Sequence, residues 1–190
     1  MISLNCGPRV KRLKRLRARK RLTLRLSDFR RMYHRADHLF ALVSDVRRYP
    51  DFIGPITGMR ILKEAVDGSR SDLTAEARVR YKFVSESFTT RVLADGESHS
   101  IDVSFVSGPF RILENKWRFH ALSDGSSLVE FHIAAAFKNP VLQMMLMKNR
   151  ERASHSMINR FSSEADNRYE RIGDEGLDLA EEINALKEKL

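Results

Sequence analysis

Apolar and polar side chains alternate most clearly between residues 75 and 83. Ala75, Ala77 and Val79 are separated by charged residues, and the alternation continues to Phe83. A period of two residues is typical of a strand with one face on a core and the other in water. Five more segments have this character and are separated by turn residues: 58–66, 86–94, 101–105, 117–121 and 129–137. The pattern predicts an antiparallel meander of six strands.

Helical periodicity precedes this meander. A plausible first strand at 23–33 is followed by apolar residues three or four apart in 35–46, which predict a helix. Pro50 and Pro55 exclude a continuation of that helix, because proline is not accommodated in a helix interior. The residues from 49 to 53 form either a short second helix or an ordered turn.

A long helix is predicted after the last strand. Asn139 is a favourable N-cap, and Pro140 suits the first helical position. Apolar residues then recur near one face as far as Tyr169. The order of elements predicts an α+β fold, in which a curved antiparallel sheet of about seven strands wraps around a long C-terminal helix, with two short helices after the first strand.

The beginning of this last helix, PVLQMMLM at 140–147, is apolar nearly all round. A helix with one face in water keeps that face polar. Methionine suits both a core and an adaptable binding surface. We therefore expect this stretch either to be covered by another element or to contact a lipid, a ligand or a membrane surface.

The charge distribution divides the chain into three parts. Residues 1–31 contain 12 Lys and Arg but one acidic residue, Asp28, whereas the other 159 residues contain 22 Lys and Arg and 24 Asp and Glu. The net charge of +9 therefore belongs to the N-terminus. We predict a basic tail at 1–21, a folded domain at 22–170 and an acidic tail or short helix at 171–190.

The basic tail is densest at 9–21, where nine of thirteen residues are Lys or Arg. Three interpretations remain open. The segment is a solvated tail without a specific role, it contacts phosphates of rRNA or of anionic lipids, or it is an organelle transit segment. The sequence before Phe29 has no aromatic residue, which argues against stacking on nucleic-acid bases.

Few residue patterns favour catalysis or metal binding. The single cysteine, Cys6, excludes an internal disulfide and favours a reducing compartment. His34 and His38 have the spacing of a metal pair, but the glutamate and third ligand of a zinc motif are missing. Glu86 and Glu114 are candidates for an acid pair in a cavity, although surface positions are favoured for both. We predict no metal and no enzymatic activity.

Four stretches of sequence match a known family in order: HRADHLFALVSDVRRYPDF (34–52), ESFTTRV (86–92), GPFRILENKWRF (108–119) and VEFHIAAAFKNPVLQMML (129–146). Through them the chain resembles the coenzyme Q-binding START-like proteins. These belong to the helix-grip, polyketide cyclase-like superfamily, which also includes the RatA-type ribosome-associated proteins. The fold that this resemblance implies agrees with the order of elements predicted above.

The resemblance also implies a hydrophobic tunnel between the sheet and the long helix, which would make the domain at 22–170 lipid-binding. We expect the tunnel to hold a polyprenyl quinone of the ubiquinone type, with no other cofactor. The candidate tunnel residues are Tyr49, Phe52, Phe83, Phe88, Phe105, Phe110, Trp117, Leu142 and Met145. Phe110 either closes the tunnel mouth or packs on the helix in every state. Tyr49 and Arg111 are candidates to hydrogen-bond the quinone head.

Three functions follow, in order of preference. The first is a non-enzymatic quinone carrier or chaperone that serves respiration or quinone synthesis and meets an anionic membrane surface. The second is a RatA-type regulator that binds the large ribosomal subunit or its rRNA through 9–21. The third is a cyclase- or hydrolase-like enzyme.

The expected location follows from the first function. The chain has no apolar run of the ~18 residues that a membrane span needs and no apolar core of a secretory signal. We expect a cytoplasmic protein, peripheral to the inner membrane in a bacterium. In a eukaryote we expect the matrix side of the mitochondrial inner membrane.

Overall fold

One antiparallel sheet dominates the computed structural model, which describes residues 23–81 and 84–189. Its strands are β1 (Leu24–Met32), β2 (Ile56–Asp67), β3 (Arg70–Tyr81), β4 (Val84–Asp95), β5 (Ser100–Ser107), β6 (Phe110–Ala121) and β7 (Ser127–Phe137). The helices are α1 (Ala36–Ser44), α2 (Tyr49–Phe52), α3 (Pro140–Lys148), α4 (Arg150–Arg168) and α5 (Ala180–Lys187), and a 3₁₀ turn, Val46–Arg48, precedes α2.

The strand order is β1-β7-β6-β5-β4-β3-β2, and each neighbouring pair is antiparallel. β1 therefore lies beside the last strand, while β2 to β7 form the predicted meander. The predicted α+β class and the seven-stranded sheet are confirmed. The open choice at residues 49–53 is also settled, because the chain forms the short helix α2 there.

Alternation along the strands separates an inner face, which packs against α1, α2 and α4, from an outer face. Ala75 and Ala77 in β3 are buried, and their neighbour Arg78 is exposed. Trp117 and Phe131 are direct partners across β6 and β7, so both side chains lie on the inner face. With Ile158 and Phe161 of α4 they belong to one hydrophobic core. The basic tail 1–21 and Phe83 lie outside the described residues.

The predicted long helix is interrupted. Asn139 caps α3 as expected, since its Oδ1 accepts a hydrogen bond from the Val141 N–H at 2.8 Å. Asn149 then leaves the helical backbone region, with φ −110° and ψ 15°, and its side-chain amide donates to the Met145 carbonyl at 2.8 Å. The Met145 carbonyl thus accepts from both the side-chain amide and the backbone N–H of Asn149, the latter at 3.2 Å, where α3 ends. The single helix expected from residue 140 onward is therefore two helices, α3 and α4.

The acidic C-terminal segment folds back over the outer face. The Arg31 guanidinium, on the outer side of β1, bonds Asp124 at 2.7 Å and the Asp174 carbonyl at 2.9 Å. Burial alone would raise the pKa of Asp124, but hydrogen bonds from Ser126, the Asp174 N–H and Arg31 hold it well below its usual value. α5 follows this anchor, and Lys187 in its last turn lies over the Phe29 ring of β1 at 5.4 Å.

Candidate functional site

The inner face carries two groups of aromatic side chains. The first, here called the closed cluster, consists of Tyr49, Phe52, Trp117 and Phe161. The second, here called the open cluster, consists of Phe88, Phe105, Phe110 and Phe137. Six of the nine predicted tunnel residues belong to these two clusters, three to each.

Phe161 of α4 is the centre of the closed cluster. Its ring centroid lies 5.4 Å from Tyr49, 5.2 Å from Phe52 and 5.1 Å from Trp117, with edge-to-face geometry at each contact. Trp117 and Phe161 are only 4% and 3% exposed. Edge-to-face pairs at such distances stabilise a core beyond the area that they bury. In this half of the inner face, side chains of α2, α4 and β6 therefore pack on one another, with Trp117 and Phe161 buried and Tyr49 and Phe52 half-buried.

The hydroxyl of Tyr49 already has a partner within the chain. It donates to the Val43 carbonyl at 2.5 Å. Burial raises the pKa of Tyr49, and the negative charge of Asp45 adds to this effect. The phenol is therefore a neutral donor, and a quinone head could receive this hydrogen bond only if the bond to Val43 were exchanged. A ligand-binding role for Tyr49 stays a prediction.

Phe110 is the centre of the open cluster. Its ring stacks on Phe137 at 4.4 Å and meets Phe88 and Phe105 edge-on at 5.2 and 6.3 Å. Phe110 is 9% exposed, whereas Phe88 and Phe105 are half-buried. The Phe110 ring thus packs against rings from three other strands. Its contact with a ligand stays a prediction.

Gly108 brings the β5–β6 turn close to β4. Its φ of +127° lies in a region that L-residues rarely adopt, and a Cβ added there would be 2.7 Å from the Phe88 Cβ. On the other side of the turn, Lys138 Nζ donates to the Gly108 carbonyl at 2.9 Å and lies 5.6 Å from the Phe105 ring centroid. The turn therefore holds Phe110 beside Phe88.

Helix α3 lies at the same end of the sheet as the open cluster. Its buried Gln143 accepts a hydrogen bond from the Phe137 N–H at 2.7 Å, which fixes the helix beside the end of β7. Leu142 and Met145 are half-buried. Val141 and Met144 are 53% and 66% exposed. The helix that the sequence showed as apolar nearly all round thus presents two apolar side chains to solvent.

Two aromatic residues were missing from the predicted site. Phe137 and Phe161 were recognised as strand and helix residues but not as members of a site. Phe137 could have been identified from the register of β6 and β7, because it is the direct partner of Phe110. The signal for Phe161 lies in packing between α4 and the sheet, which periodicity alone does not specify.

The candidate acid pair does not form. Glu86 is opposite Val79 on the inner face, whereas Glu114 is opposite Ala134 and lies on the outer face. Two residues on opposite faces of a sheet cannot act on the same ligand. Within residues 23–81 and 84–189, there is no group of three or more His, Cys, Asp or Glu side chains that is arranged to hold a metal ion.

The two histidines at metal-pair spacing have separate environments. His34 is 1% exposed, with Nε2 3.5 Å from Asp166 Oδ1. Burial lowers the pKa of His34, and Asp166 offsets part of this effect. His38 stacks on Tyr169 at 4.5 Å.

Separately, none of the described helices is long and apolar enough to cross a membrane.

Comparison with known proteins gives one family match and several similar chains. Residues 32–162 match the model of the polyketide cyclase / dehydrase and lipid transport family. The ribosome association toxin RatA of Escherichia coli K12 is 31% identical over 134 residues, which cover 70% of this chain and 82% of that protein. The 18 kDa protein CC1736 from Caulobacter crescentus is 42% identical, and its solution structure covers 75% of this chain and 96% of its own with a TM-score of 0.63.

A more distant structure agrees in fold. The Zhui aromatase/cyclase from Streptomyces sp. R1128 covers 77% of this chain and 95% of its own, with a TM-score of 0.65 and 17% identity. At that identity the likeness concerns the architecture of sheet and helices alone.

Proposed function

We propose that this chain, which belongs to the polyketide cyclase / dehydrase and lipid transport family, associates with the ribosome. The observation that carries this proposal is the 31% identity to RatA across 82% of that protein's length. The name of that relative states ribosome association. The quinone carrier, which the sequence favoured first, becomes the second candidate.

The distribution of charge supports this choice. The segment 9–21 carries nine basic residues, and RNA is the most abundant polyanion of a ribosome. Lysine and arginine side chains that neutralise phosphates release counterions, which makes binding strong at low salt and weak at high salt. The rest of the chain is nearly neutral. We therefore expect much of the affinity to depend on the tail.

Co-sedimentation of the full-length protein with purified ribosomal subunits tests the proposal. We expect the protein to sediment with the large subunit at about 50 mM salt and to be largely released at about 200 mM. Deletion of 1–21 should weaken binding and flatten its salt dependence. If full-length protein stays at the top of the gradient at every salt concentration, ribosome association is wrong. If the deletion binds as tightly as the full chain, only the role of the tail is wrong.

A polyprenyl quinone on the inner face is the second candidate, and the open cluster favours it. Phe88 and Phe105 are half-buried, and the neighbouring helix α3 exposes Val141 and Met144. An isoprenoid tail that covers such surface gains about 25 cal/mol per Å² before ordering costs. Such a ligand needs no catalytic group, so this function is also non-enzymatic. It would place the protein against a membrane surface when it loads.

Native mass spectrometry with lipid extraction tests this second function. The protein is purified from a quinone-producing host, alone and as the Phe105→Asp variant. Co-purified quinone that is lost from Phe105→Asp would support the carrier. A matched control, Leu62→Asp, places the same charge on an exposed leucine of β2 and should keep the ligand. Protein that is free of quinone in a quinone-rich host would contradict it.

A further inference from the structure

A polar groove crosses the outer face where β1, β7 and β6 lie side by side. Its volume is about 550 Å³. The residues that matter here are Arg25, Ser27, Glu114, Lys116, Glu130 and His132. The groove lies on the other side of the sheet from both aromatic clusters. A ligand there would not compete for the inner face.

A chain of hydrogen bonds orients the polar groups of the groove. Ser27 Oγ is 2.7 Å from His132 Nδ1, and His132 Nε2 is 2.5 Å from Glu130 Oε1. The other oxygen of Glu130 is 3.4 Å from His120 Nε2. Glu130 is only 8% exposed, so its carboxylate holds the imidazole from beneath. Ser27 is exposed and presents its hydroxyl at the rim.

Two cations of the groove lack a partner. Arg91 and Arg118 on the outer face each form a two-contact pair with an aspartate, Asp72 and Asp102. Within the part of the chain that the structure describes, the side chains of Arg25 and Lys116 form no ion pair or hydrogen bond, although their backbones pair within the sheet. Their charge is therefore available to a ligand, and a free cation beside a hydroxyl and an imidazole suits an anion.

Arg25, the second residue of β1, lines the groove and follows the basic segment 9–21 by four residues in the sequence. At the other border, Lys187 lies over Phe29, whose ring meets His132 edge-on at 6.1 Å. A run of positive charge beyond the groove favours a polymer of phosphates over a single small anion.

We propose that this outer-face groove binds backbone phosphates of RNA and is the folded domain's own contact in ribosome association. This inference rests on the proposed function. Lys116 and Arg25 supply the charge. Both ring nitrogens of His132 are engaged by Ser27 and Glu130, so this residue acts by orienting Ser27. With His132 Nδ1 donating to Ser27 Oγ, the Ser27 hydroxyl donates its own proton to a phosphate oxygen. Glu114, which also lines the groove, opposes the binding.

Four single substitutions in the full-length protein test the groove. Lys116→Gln and Arg25→Gln should each weaken binding to the large ribosomal subunit about fivefold and reduce the salt slope by about one. Glu114→Gln removes a repulsive charge and should strengthen binding. Lys63→Gln is the matched control, because Lys63 is exposed on β2 at the opposite edge of the sheet. It should bind as the unchanged protein does.

The outcomes separate this inference from the function on which it rests. If the unchanged protein does not bind ribosomal subunits, the proposed function fails first. If it binds, but Lys116→Gln and Arg25→Gln bind equally well with the same salt slope, the groove is wrong and ribosome association stands. An increase with Glu114→Gln together with a decrease with Lys116→Gln supports the groove, since a folding defect would not produce opposite signs.

Nuclear magnetic resonance identifies the source of the phosphate. A single-stranded RNA oligonucleotide is added to labelled full-length protein, and inorganic phosphate is added in a second titration. An RNA site is supported if the resonances of the Ser27 amide and the His132 ring shift at a far lower concentration of RNA than of phosphate. If both anions shift these resonances at the same concentration, RNA is wrong as the ligand of the groove and a small phosphorylated ligand is favoured. Absence of a response to either would overturn the groove as an anion site.

Discussion

The closed and open clusters use the same kind of side chain on the same face of one sheet, yet they differ in exposure. In the closed cluster, α4 inserts Phe161 among the rings of Tyr49, Phe52 and Trp117. The open cluster is built from the strands themselves, and Phe88 and Phe105 remain half-buried. Tyr49 and Phe52 are half-buried too, so the difference lies in the buried rings, which are Trp117 and Phe161 in the closed cluster but only Phe110 in the open one. The closed end therefore contributes more to stability, and the open end retains more apolar surface that a ligand or a partner would cover.

The largest expected effect is in the closed cluster. Phe161→Ala removes the ring shared by three partners, and we expect a loss of about 4 kcal/mol in the free energy of unfolding from lost contacts and the cavity left behind. Denaturant titration followed by tryptophan fluorescence measures it, because Trp117 touches Phe161. A loss below that of Phe105→Ala would reverse the comparison between the clusters.

Gly108→Ala should disturb the open cluster, because the β5–β6 turn at Gly108 holds Phe110 beside Phe88. The new methyl group would be 2.7 Å from the Phe88 Cβ at a backbone φ of +127°. We expect a loss of about 3 kcal/mol from overpacking and backbone strain together. Gly68→Ala is the control, since its φ is +58° and no atom lies within 4 Å of the added Cβ. It should lose about 1 kcal/mol from the backbone alone. Equal losses would mean that contact with Phe88 is unimportant.

Phe105→Ala should lower the free energy of unfolding only slightly, but it should strongly reduce the accessible apolar surface. The ring is half-buried and meets Phe110 at the longest distance in the cluster, 6.3 Å. We expect a loss of about 1–2 kcal/mol, less than a fully buried phenylalanine would give. Binding of an apolar fluorescent dye should fall in this variant and stay unchanged in Phe161→Ala under conditions where that variant is folded. Unchanged dye binding in Phe105→Ala would show that the open cluster is not an accessible apolar surface.

The smallest expected effect is a dependence of the free energy of unfolding on pH, which we attribute to His34. Burial lowers the pKa of His34, Arg171 and His38 lower it further, and Asp166 opposes this. Below about pH 6.5 the unfolded chain therefore binds a proton that the folded chain does not. The free energy of unfolding should fall as pH drops from 6.5 toward 5, by at most about 1.4 kcal/mol per pH unit.

Denaturant titrations across this pH range measure the effect. His34→Gln should have a shallower fall than the unchanged protein. His99→Asn removes a histidine from a turn whose φ of 46° suits asparagine, and it should retain the fall that His34 causes. An equal pH dependence in all three proteins would exclude His34 as the cause.

Much of the fold could be predicted from the sequence, because strand and helix periods are local properties. The alternation from residue 75 to the end of β3 and the cap at Asn139 both appear at the predicted places in the described chain. Each aromatic cluster also contains three of the nine candidate tunnel residues. The interruption at Asn149 was missed, since the apolar spacing continues across it while the backbone does not.

The sequence by itself determined which side of each strand is apolar, and hence that one sheet would close over a helix. Only the tertiary structure decided which apolar residues meet. Phe110 and Phe137 are 27 positions apart and become stacked partners through strand register. Ser27 and His132 are 105 positions apart and share a hydrogen bond for the same reason. Periodicity is set by backbone geometry within a few residues, whereas register and helix placement result from packing of the whole chain.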